Sequence, residues 1–265
     1  MSSISDSSGG LRETLINCDV NYELKKHYLI IGKRDCGKTN FIINNLYEEM
    51  CKKIENIYLF TKKENFKYYE KMTDKICDIK NIDLILTEVL KYDGGSKITN
   101  NLVIIDDISI NFKNNTIVDL FLNARNYGTT LIVSCHYALG IPPDVRVQFD
   151  YIITAHDDNH SNIQRLYEHY YGFYPTLKMF NEVLNCLEQY EFLVLQLRYK
   201  KNRVSVQKTK IQSEYKFIES KHNIEEIEKN ALVKKFKDAK NIINELNFTI
   251  DNLVSIRDRL KKLNL

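Results

Sequence analysis

Tryptophan is absent from this 265-residue chain, and proline occurs only three times. The six cysteines are scattered, with no Cys-x-x-Cys pair and no nearby histidine at metal-ligand spacing. This distribution argues against a disulfide framework and against a zinc site, and it suits a reducing compartment. No hydrophobic run approaches the roughly 18 residues of a membrane-spanning helix, and the polar N-terminus lacks the apolar segment of a signal peptide. We therefore expect a protein without a transmembrane segment in a cytosol-like compartment.

The charge balance is also small, because the net charge is only +3. A nucleic-acid contact would need a local basic patch, or several subunits that add their fields. Hydrophobic residues make up 43% of the chain and charged residues 28%, which is ordinary for a globular protein. The length allows one large domain, or one domain with an appendage.

Short apolar runs alternate with helical patterns through most of the chain, which is typical of a parallel β-sheet covered by helices. The runs are almost continuously apolar, as in strands that are buried on both faces. The sequence therefore predicts an α/β fold with strands at 28–31, 57–61, 102–106, 130–135, 151–155 and 192–197, and a further strand at 203–206.

Two terminal segments read differently from this predicted domain, which covers residues 16–213. The Ser/Gly-rich segment 1–15 predicts a disordered tail. In 214–265, apolar residues recur at steps of three and four without glycine or proline. A single helix of about forty residues would be about 60 Å long, which favours a coiled coil or a docking helix. A hairpin folded back on its own domain is the alternative.

The segment GKRDCGKT matches the phosphate-binding P-loop, or Walker A, pattern G-x-x-x-x-G-K-[ST]. It lies between a predicted strand and a predicted helix, as the function requires, because the helix N-terminus attracts anions. Lys38 would reach the β- and γ-phosphates, and the Thr39 hydroxyl would bind Mg²⁺. We expect nucleotide contacts from Gly32, Lys33, Arg34, Asp35, Cys36, Gly37, Lys38, Thr39 and Asn40.

Cys36 within this loop has two interpretations. Its side chain could face outward, with only its backbone N–H in use. Alternatively, the nearby helix N-terminus could lower the thiol pKa and make Cys36 reactive.

The apolar run 102–106 ends in two acidic residues, about seventy residues after the P-loop, as a Walker B strand does. Asp106 would hold Mg²⁺, and Asp107 would orient or deprotonate the attacking water. Two adjacent carboxylates at a buried strand end repel each other unless a cation lies between them. The alternative is an acidic turn that caps a core strand.

The next predicted strand ends in polar residues. In P-loop enzymes with an extra strand between the Walker A and Walker B strands, this strand carries a sensor for the γ-phosphate. His136 or Ser134 would take that role. Arg125 and Arg146 are candidates for a charge that completes a neighbouring subunit's site. A structural histidine and surface arginines are the alternatives.

Together, GKRDCGKT, LVIIDDIS and ARNYGTTLIVSCHYALGIPPDVRVQFDYIITA resemble the poxvirus-type DNA-packaging ATPases of large nucleocytoplasmic DNA viruses, within the FtsK–HerA superfamily of P-loop ATPases. The resemblance covers 27–155. It implies a RecA-like core, ATP and Mg²⁺ as cofactors, and a homo-oligomeric ring that moves double-stranded DNA into a capsid. It also implies a place in the host cytoplasm or with the virion. Many superfamily members have glutamate where Asp107 stands and glutamine where His136 stands.

Further predictions concern partners. Basic residues at 198–203, with Lys208 and Lys210, could grip DNA phosphates in a ring's pore, or form a solvated hairpin turn. The C-terminal helix could dock a capsid or virion-membrane protein. Two other functions stay open: a nucleotide-dependent switch or loader that moves nothing, and an assembly protein in which nucleotide orders the fold.

Overall fold

A computed structural model of the protein describes residues 20–73, 76–77, 82–83, 87, 99–137, 140–197 and 203–209. The predicted tail at 1–15 and the predicted helix at 214–265 lie outside the described residues, as do the basic residues at 198–202 and 210. The described helices include none that is long and apolar enough to cross a membrane.

The centre of the fold is one eight-stranded sheet with the order β3-β2-β4-β5-β1-β6-β7-β8. All neighbours from β3 to β6 are parallel, whereas β7 runs antiparallel to both β6 and β8. The strands are β1 (His27–Ile31), β2 (Asn56–Thr61), β3 (Ile76–Cys77), β4 (Asn101–Asp106), β5 (Thr129–Cys135), β6 (Tyr151–Ala155), β7 (Glu191–Gln196) and β8 (Arg203–Lys208).

The predicted fold class is confirmed as a mostly parallel sheet flanked by helices. All seven predicted strands are present, with ends that differ by one or two residues. Strand β5 lies between β1 and β4. This is the extra strand that the sequence predicted between the Walker A and Walker B strands. The sequence missed β3, because two residues are too few to show a periodic pattern.

Helices connect the strands. Helix α1 is the next element after β1. It begins as Lys38–Phe41, widens to a π-helical turn at Ile42–Tyr47 and continues as Glu48–Met50. A short 3₁₀ segment, Lys63–Tyr68, follows β2. Among the other α-helices in the described part of the chain are α2 (Asn115–Asn123), α3 (Pro143–Arg146), α4 (His160–Leu166), which extends as a π-helical turn over Tyr167–Tyr171, and α5 (Leu177–Asn185).

Two hydrophobic clusters cover the two faces of the sheet. Leu29 and Ile31 of β1 belong to one cluster, and Tyr28 and Ile30 belong to the other, because successive side chains of a strand point to opposite faces. All four are fully buried. Burial of one such side chain stabilises the fold by roughly 1.5–3 kcal/mol, so β1 is held firmly where it enters the loop before α1.

Candidate functional site

The loop between β1 and α1 depends on two glycines. Gly37 has φ 95°, in the left-handed region that side chains avoid. A Cβ atom on Gly32 would lie 2.6 Å from Cys36 Sγ and 2.9 Å from the Cβ of Ala155. The loop can therefore close tightly over the end of the sheet only with glycine at both positions.

Lys38 is almost completely buried at the start of α1. Its Nζ donates hydrogen bonds to the carbonyl oxygens of Gly32 at 2.7 Å and Lys33 at 2.9 Å, and it lies 3.4 Å from Nδ1 of His136. The loop's own carbonyls therefore hold the ammonium group across the mouth of the loop.

Asp106, at the end of β4, is fully buried and accepts three hydrogen bonds from hydroxyl groups. Thr39 Oγ1 donates to Oδ2 at 3.0 Å, and the Tyr69 hydroxyl donates to the same oxygen at 2.9 Å. Ser134 Oγ donates to Oδ1. A carboxylate beside a threonine hydroxyl is a set of hard oxygen ligands, and this set fits Mg²⁺.

Asp107 follows with φ 55°, an unusual conformation for a residue with a side chain. Its Oδ2 lies 2.8 Å from Lys62 Nζ, and its Oδ1 contacts Nε2 of His136. Partial burial raises the pKa of the Asp107 carboxyl. The hydrogen bond from Lys62 and the positive charges nearby outweigh this effect, so the pKa falls below its usual range. Asp107 is therefore ionised at neutral pH.

These groups open into one cavity of about 650 Å³ at the carboxyl edge of the sheet. Its lining comes from α1 and its loop, from the ends of β2, β4 and β5, and from the residue before β7: Arg34, Asp35, Gly37, Lys38, Thr39, Asn40, Lys62, Glu64, Asn65, Tyr68, Asp106, Asp107, His136 and Tyr190. The sequence-predicted groups of both motifs thus meet in one place.

Three of the nine predicted loop residues are not among the lining residues. Gly32 and Lys33 contribute carbonyl oxygens to Lys38, and the Lys33 ammonium contacts the carboxylate of Asp158 outside the cavity. Cys36 is half-buried with its sulfur beside Gly32 and is not among the lining residues of the cavity. Burial raises the pKa of its thiol despite the nearby charge of Lys38. The hypothesis of a lowered Cys36 pKa is therefore wrong.

Of the two predicted sensor residues, only His136 lines the cavity. Ser134 is fully buried, and its Oγ donates to Asp106 and accepts from the backbone N–H of Asp107 at 3.0 Å. The serine therefore orients the Asp106 carboxylate and holds the backbone of Asp107. A sensor role for His136 stays a prediction.

The structure does not bring the two predicted arginines to this cavity. Arg125 donates to Asp150 Oδ2 at 2.8 Å and to the carbonyl oxygen of Gln148. Asp150 also accepts from the backbone N–H of His27 at 2.8 Å, which places this ion pair at the amino edge of the sheet. The predicted role of Arg125 across a subunit boundary stays a prediction.

Arg146, the last residue of α3, also lies outside the lining of the cavity. It lies near His169. Burial lowers the pKa of the His169 imidazole, and the positive charge of Arg146 lowers it further. Its predicted role toward a neighbouring subunit likewise stays a prediction. Two of the predicted DNA-contacting residues are described: Arg203 begins β8, and Lys208 ends it and pairs with Glu188 at 3.2 Å.

Sequence reasoning missed several residues that shape the site. Lys62 could have been found, because it directly follows a predicted strand and the carboxyl ends of parallel strands meet at one edge. The hydrogen bond from Tyr69 to Asp106 and the position of Tyr190 carry no local pattern. They depend on the strand order, which a sequence motif does not contain.

No family model matches the chain. An uncharacterized protein, L437, of Acanthamoeba polyphaga mimivirus is 28% identical over 191 residues, which are 64% of this chain and 66% of that protein. Uncharacterized protein 088R of Invertebrate iridescent virus 3 is 30% identical over 66 residues, 25% of each chain. The chain thus spans just under two thirds of the first relative and a quarter of the second.

Among solved structures, the chain is similar to the genome packaging NTPase B204 from Sulfolobus turreted icosahedral virus 2. The B204 complex with AMPPCP gives a TM-score of 0.53 at 16% identity, covering 68% of this chain and 97% of B204. The complex with sulfate gives 0.55 at 17% identity, covering 71% and 98%. At these identities the likeness concerns the fold alone. The described part of this chain has the mixed α/β fold of a P-loop NTPase.

Proposed function

We propose that this protein is a Mg²⁺-dependent ATPase whose hydrolysis drives double-stranded DNA into a viral capsid. One observation carries the ATPase part. The Lys38 ammonium, the Thr39 hydroxyl and the carboxylates of Asp106 and Asp107 converge on a single cavity at the end of β1 and β4.

The loop and α1 would bind the phosphates. Backbone N–H groups at the start of a helix attract phosphate oxygens, and Lys38 adds a full positive charge at the same place. Thr39 and Asp106 would hold the metal ion, which neutralises phosphate charge when it is bound. Tyr69 and Ser134 keep the Asp106 carboxylate in a fixed orientation through their hydroxyl groups.

Asp107 would act on the attacking water. Its ionised carboxylate can accept a hydrogen bond from water and take up the proton as the water oxygen bonds to the γ-phosphorus. The bond from that phosphorus to the β-phosphate oxygen breaks, which yields ADP and phosphate. His136, which contacts both Lys38 and Asp107, would sense the γ-phosphate.

The packaging part of the proposal has separate support. B204, which shares this fold, is named a genome packaging NTPase, and it was crystallised with a nucleotide analogue. Both relatives found by sequence belong to viruses. We extend the proposal to a homo-oligomeric ring in the host cytoplasm, with Arg125 or Arg146 acting in trans. The segment 214–265 would dock a capsid or virion-membrane partner.

The experiment is ATP turnover with and without long double-stranded DNA, with molecular mass measured in the same buffer. Asp107→Asn tests the site, and Asp144→Asn, which changes an exposed carboxylate on α3, is the matched control. We expect an oligomer whose turnover rises with DNA, falls at least about a hundredfold in Asp107→Asn and persists in Asp144→Asn.

Other outcomes separate the two parts of the proposal. A monomer that binds ATP with turnover indifferent to DNA would contradict packaging and favour a switch, loader or assembly protein. Full turnover in Asp107→Asn would contradict the assignment of the water-activating residue.

A further inference from the structure

One aromatic side chain that lines the cavity has no part in the proposed chemistry. Tyr190 precedes β7 and lines the cavity, and its Cδ1 lies 3.0 Å from the position that a Cβ on Gly37 would take. Its ring therefore lies directly beside the phosphate loop, in space that the absent side chain of Gly37 leaves open.

The backbone holds Tyr190 in an unusual conformation. Its φ is 66°, and its carbonyl oxygen accepts a hydrogen bond from the backbone N–H of Thr209 at 3.0 Å. The residue is thus tied to the end of β8 while it keeps a left-handed backbone that costs free energy for a tyrosine. Its ring is neither buried in the core nor fully exposed.

The strand order places Tyr190 and the carboxylates on opposite sides of the phosphate loop. Strand β4, which carries Asp106, is two positions from β1 on one side. Strand β7 is two positions from β1 on the other side, and its antiparallel direction brings its first residue to the carboxyl edge. Neighbouring strands lie about 4.8 Å apart, so the end of β4 and the start of β7 are separated by roughly 19 Å.

A nucleoside triphosphate has its γ-phosphate at one end and its base at the other. If the γ-phosphate lies near Asp107, the base lies at the far end of the cavity. We propose that Tyr190 is the platform on which the nucleobase of the bound triphosphate stacks. Every base presents a π-face to an aromatic ring, so the platform accepts purine and pyrimidine nucleotides alike. This inference rests on the proposed nucleotide site and adds its base-binding residue.

The test compares two ligands that differ by the nucleoside. Equilibrium affinities for ATP with Mg²⁺ and for inorganic tripolyphosphate with Mg²⁺ are measured on the full chain, with GTP and UTP as further nucleotides. We expect Tyr190→Ala to weaken binding of all three nucleotides by roughly tenfold or more and to leave tripolyphosphate affinity unchanged. Tyr190→Phe, which keeps the ring, should bind as the wild type does.

Two further variants make the result decisive. Tyr190→Leu keeps an apolar side chain without a π-face, so it replaces Tyr190→Ala if that protein does not fold, with the same expected loss. Tyr68→Ala removes the other tyrosine that lines the cavity, near the carboxylate end, and should leave the ratio of ATP to tripolyphosphate affinity unchanged.

Three outcomes would overturn the platform while the nucleotide site stands. These are unchanged ATP affinity in the Tyr190 variants, equal losses for ATP and tripolyphosphate, and a nucleotide-specific loss in Tyr68→Ala instead. A wild-type chain that binds neither ligand would overturn the proposed function itself, and the platform with it.

Discussion

Two buried aspartates at opposite edges of the sheet are satisfied in different ways. Asp150, at the amino edge, is 3% exposed and pairs with the guanidinium of Arg125. Asp106, at the carboxyl edge, is fully buried and accepts hydrogen bonds from three hydroxyl groups. Within the described part of the chain, no lysine, arginine or histidine lies within ion-pair distance of Asp106.

The difference indicates what each edge does. A buried carboxylate is costly unless a cation or several hydrogen bonds compensate it. Arg125 supplies an opposite charge for Asp150, so we expect that site to serve stability. Hydroxyl groups fix the direction of the Asp106 carboxylate without cancelling its charge, so that site retains its attraction for a cation. Stability and the proposed function should therefore separate between the two edges.

The largest effect should come from Asp106→Asn. The amide keeps the size of the side chain but removes the charge that would hold Mg²⁺. We expect ATP turnover to fall at least about a hundredfold, because neutralisation of the phosphates depends on the metal ion. The free energy of unfolding should change by only about 1 kcal/mol, since hydroxyl groups can donate to or accept from an amide.

Turnover and denaturant unfolding, each with a Mg²⁺ titration, measure the two quantities. The matched variant is Asp150→Asn, which makes the same chemical change at the amino edge. A large loss of turnover per folded molecule in Asp150→Asn, or none in Asp106→Asn, would break the comparison.

The second effect, on stability, should come from Arg125→Met. Loss of the guanidinium removes the ion pair of the buried Asp150 carboxylate, so the free energy of unfolding should fall by about 3 kcal/mol. Turnover per folded molecule should persist if Arg146, rather than Arg125, is the arginine that acts in trans. The double variant Arg125→Met/Asp150→Asn should recover part of the stability, because no buried charge is then left alone.

This variant also tests the predicted action of Arg125 on a neighbouring subunit. Unchanged stability together with a loss of turnover, restored when wild-type subunits are mixed in, would assign Arg125 to the neighbouring site instead. The mixing experiment is informative only if mass measurements show an oligomer.

The two edges also differ in how far the sequence predicted them. GKRDCGKT, with the acidic end of the run 102–106, indicated the carboxyl edge, because a P-loop and a Walker B strand have local patterns with fixed chemistry. The apolar runs predicted seven strands, since burial on both faces leaves a continuous pattern.

The amino edge has no such pattern. Arg125 and Asp150 are 25 residues apart and meet only after β1, β5 and β6 pair, so the sequence did not predict their ion pair. Tyr69 and Tyr190 were missed for the same reason. Each acts on the site through the strand order rather than through neighbours in the chain.

The smallest effect should come from Tyr69→Phe, which removes one of the three hydroxyl donors to Asp106 and keeps the buried ring. Thr39 and Ser134 still hold the carboxylate, so the fold should lose only about 1 kcal/mol. With one donor removed, the direction of the Asp106 carboxylate is less restricted. The Mg²⁺ concentration for half-maximal turnover should therefore rise several-fold, while the maximal rate stays near the wild-type value.

Tyr28→Phe is the control, because it removes a hydroxyl that donates to the carbonyl oxygen of Glu23, away from Asp106. A fall in maximal rate at saturating Mg²⁺ in Tyr69→Phe would mean that the Tyr69 hydroxyl acts on the reaction itself. The three hydroxyl groups around Asp106 would then do more than orient a ligand of the metal ion.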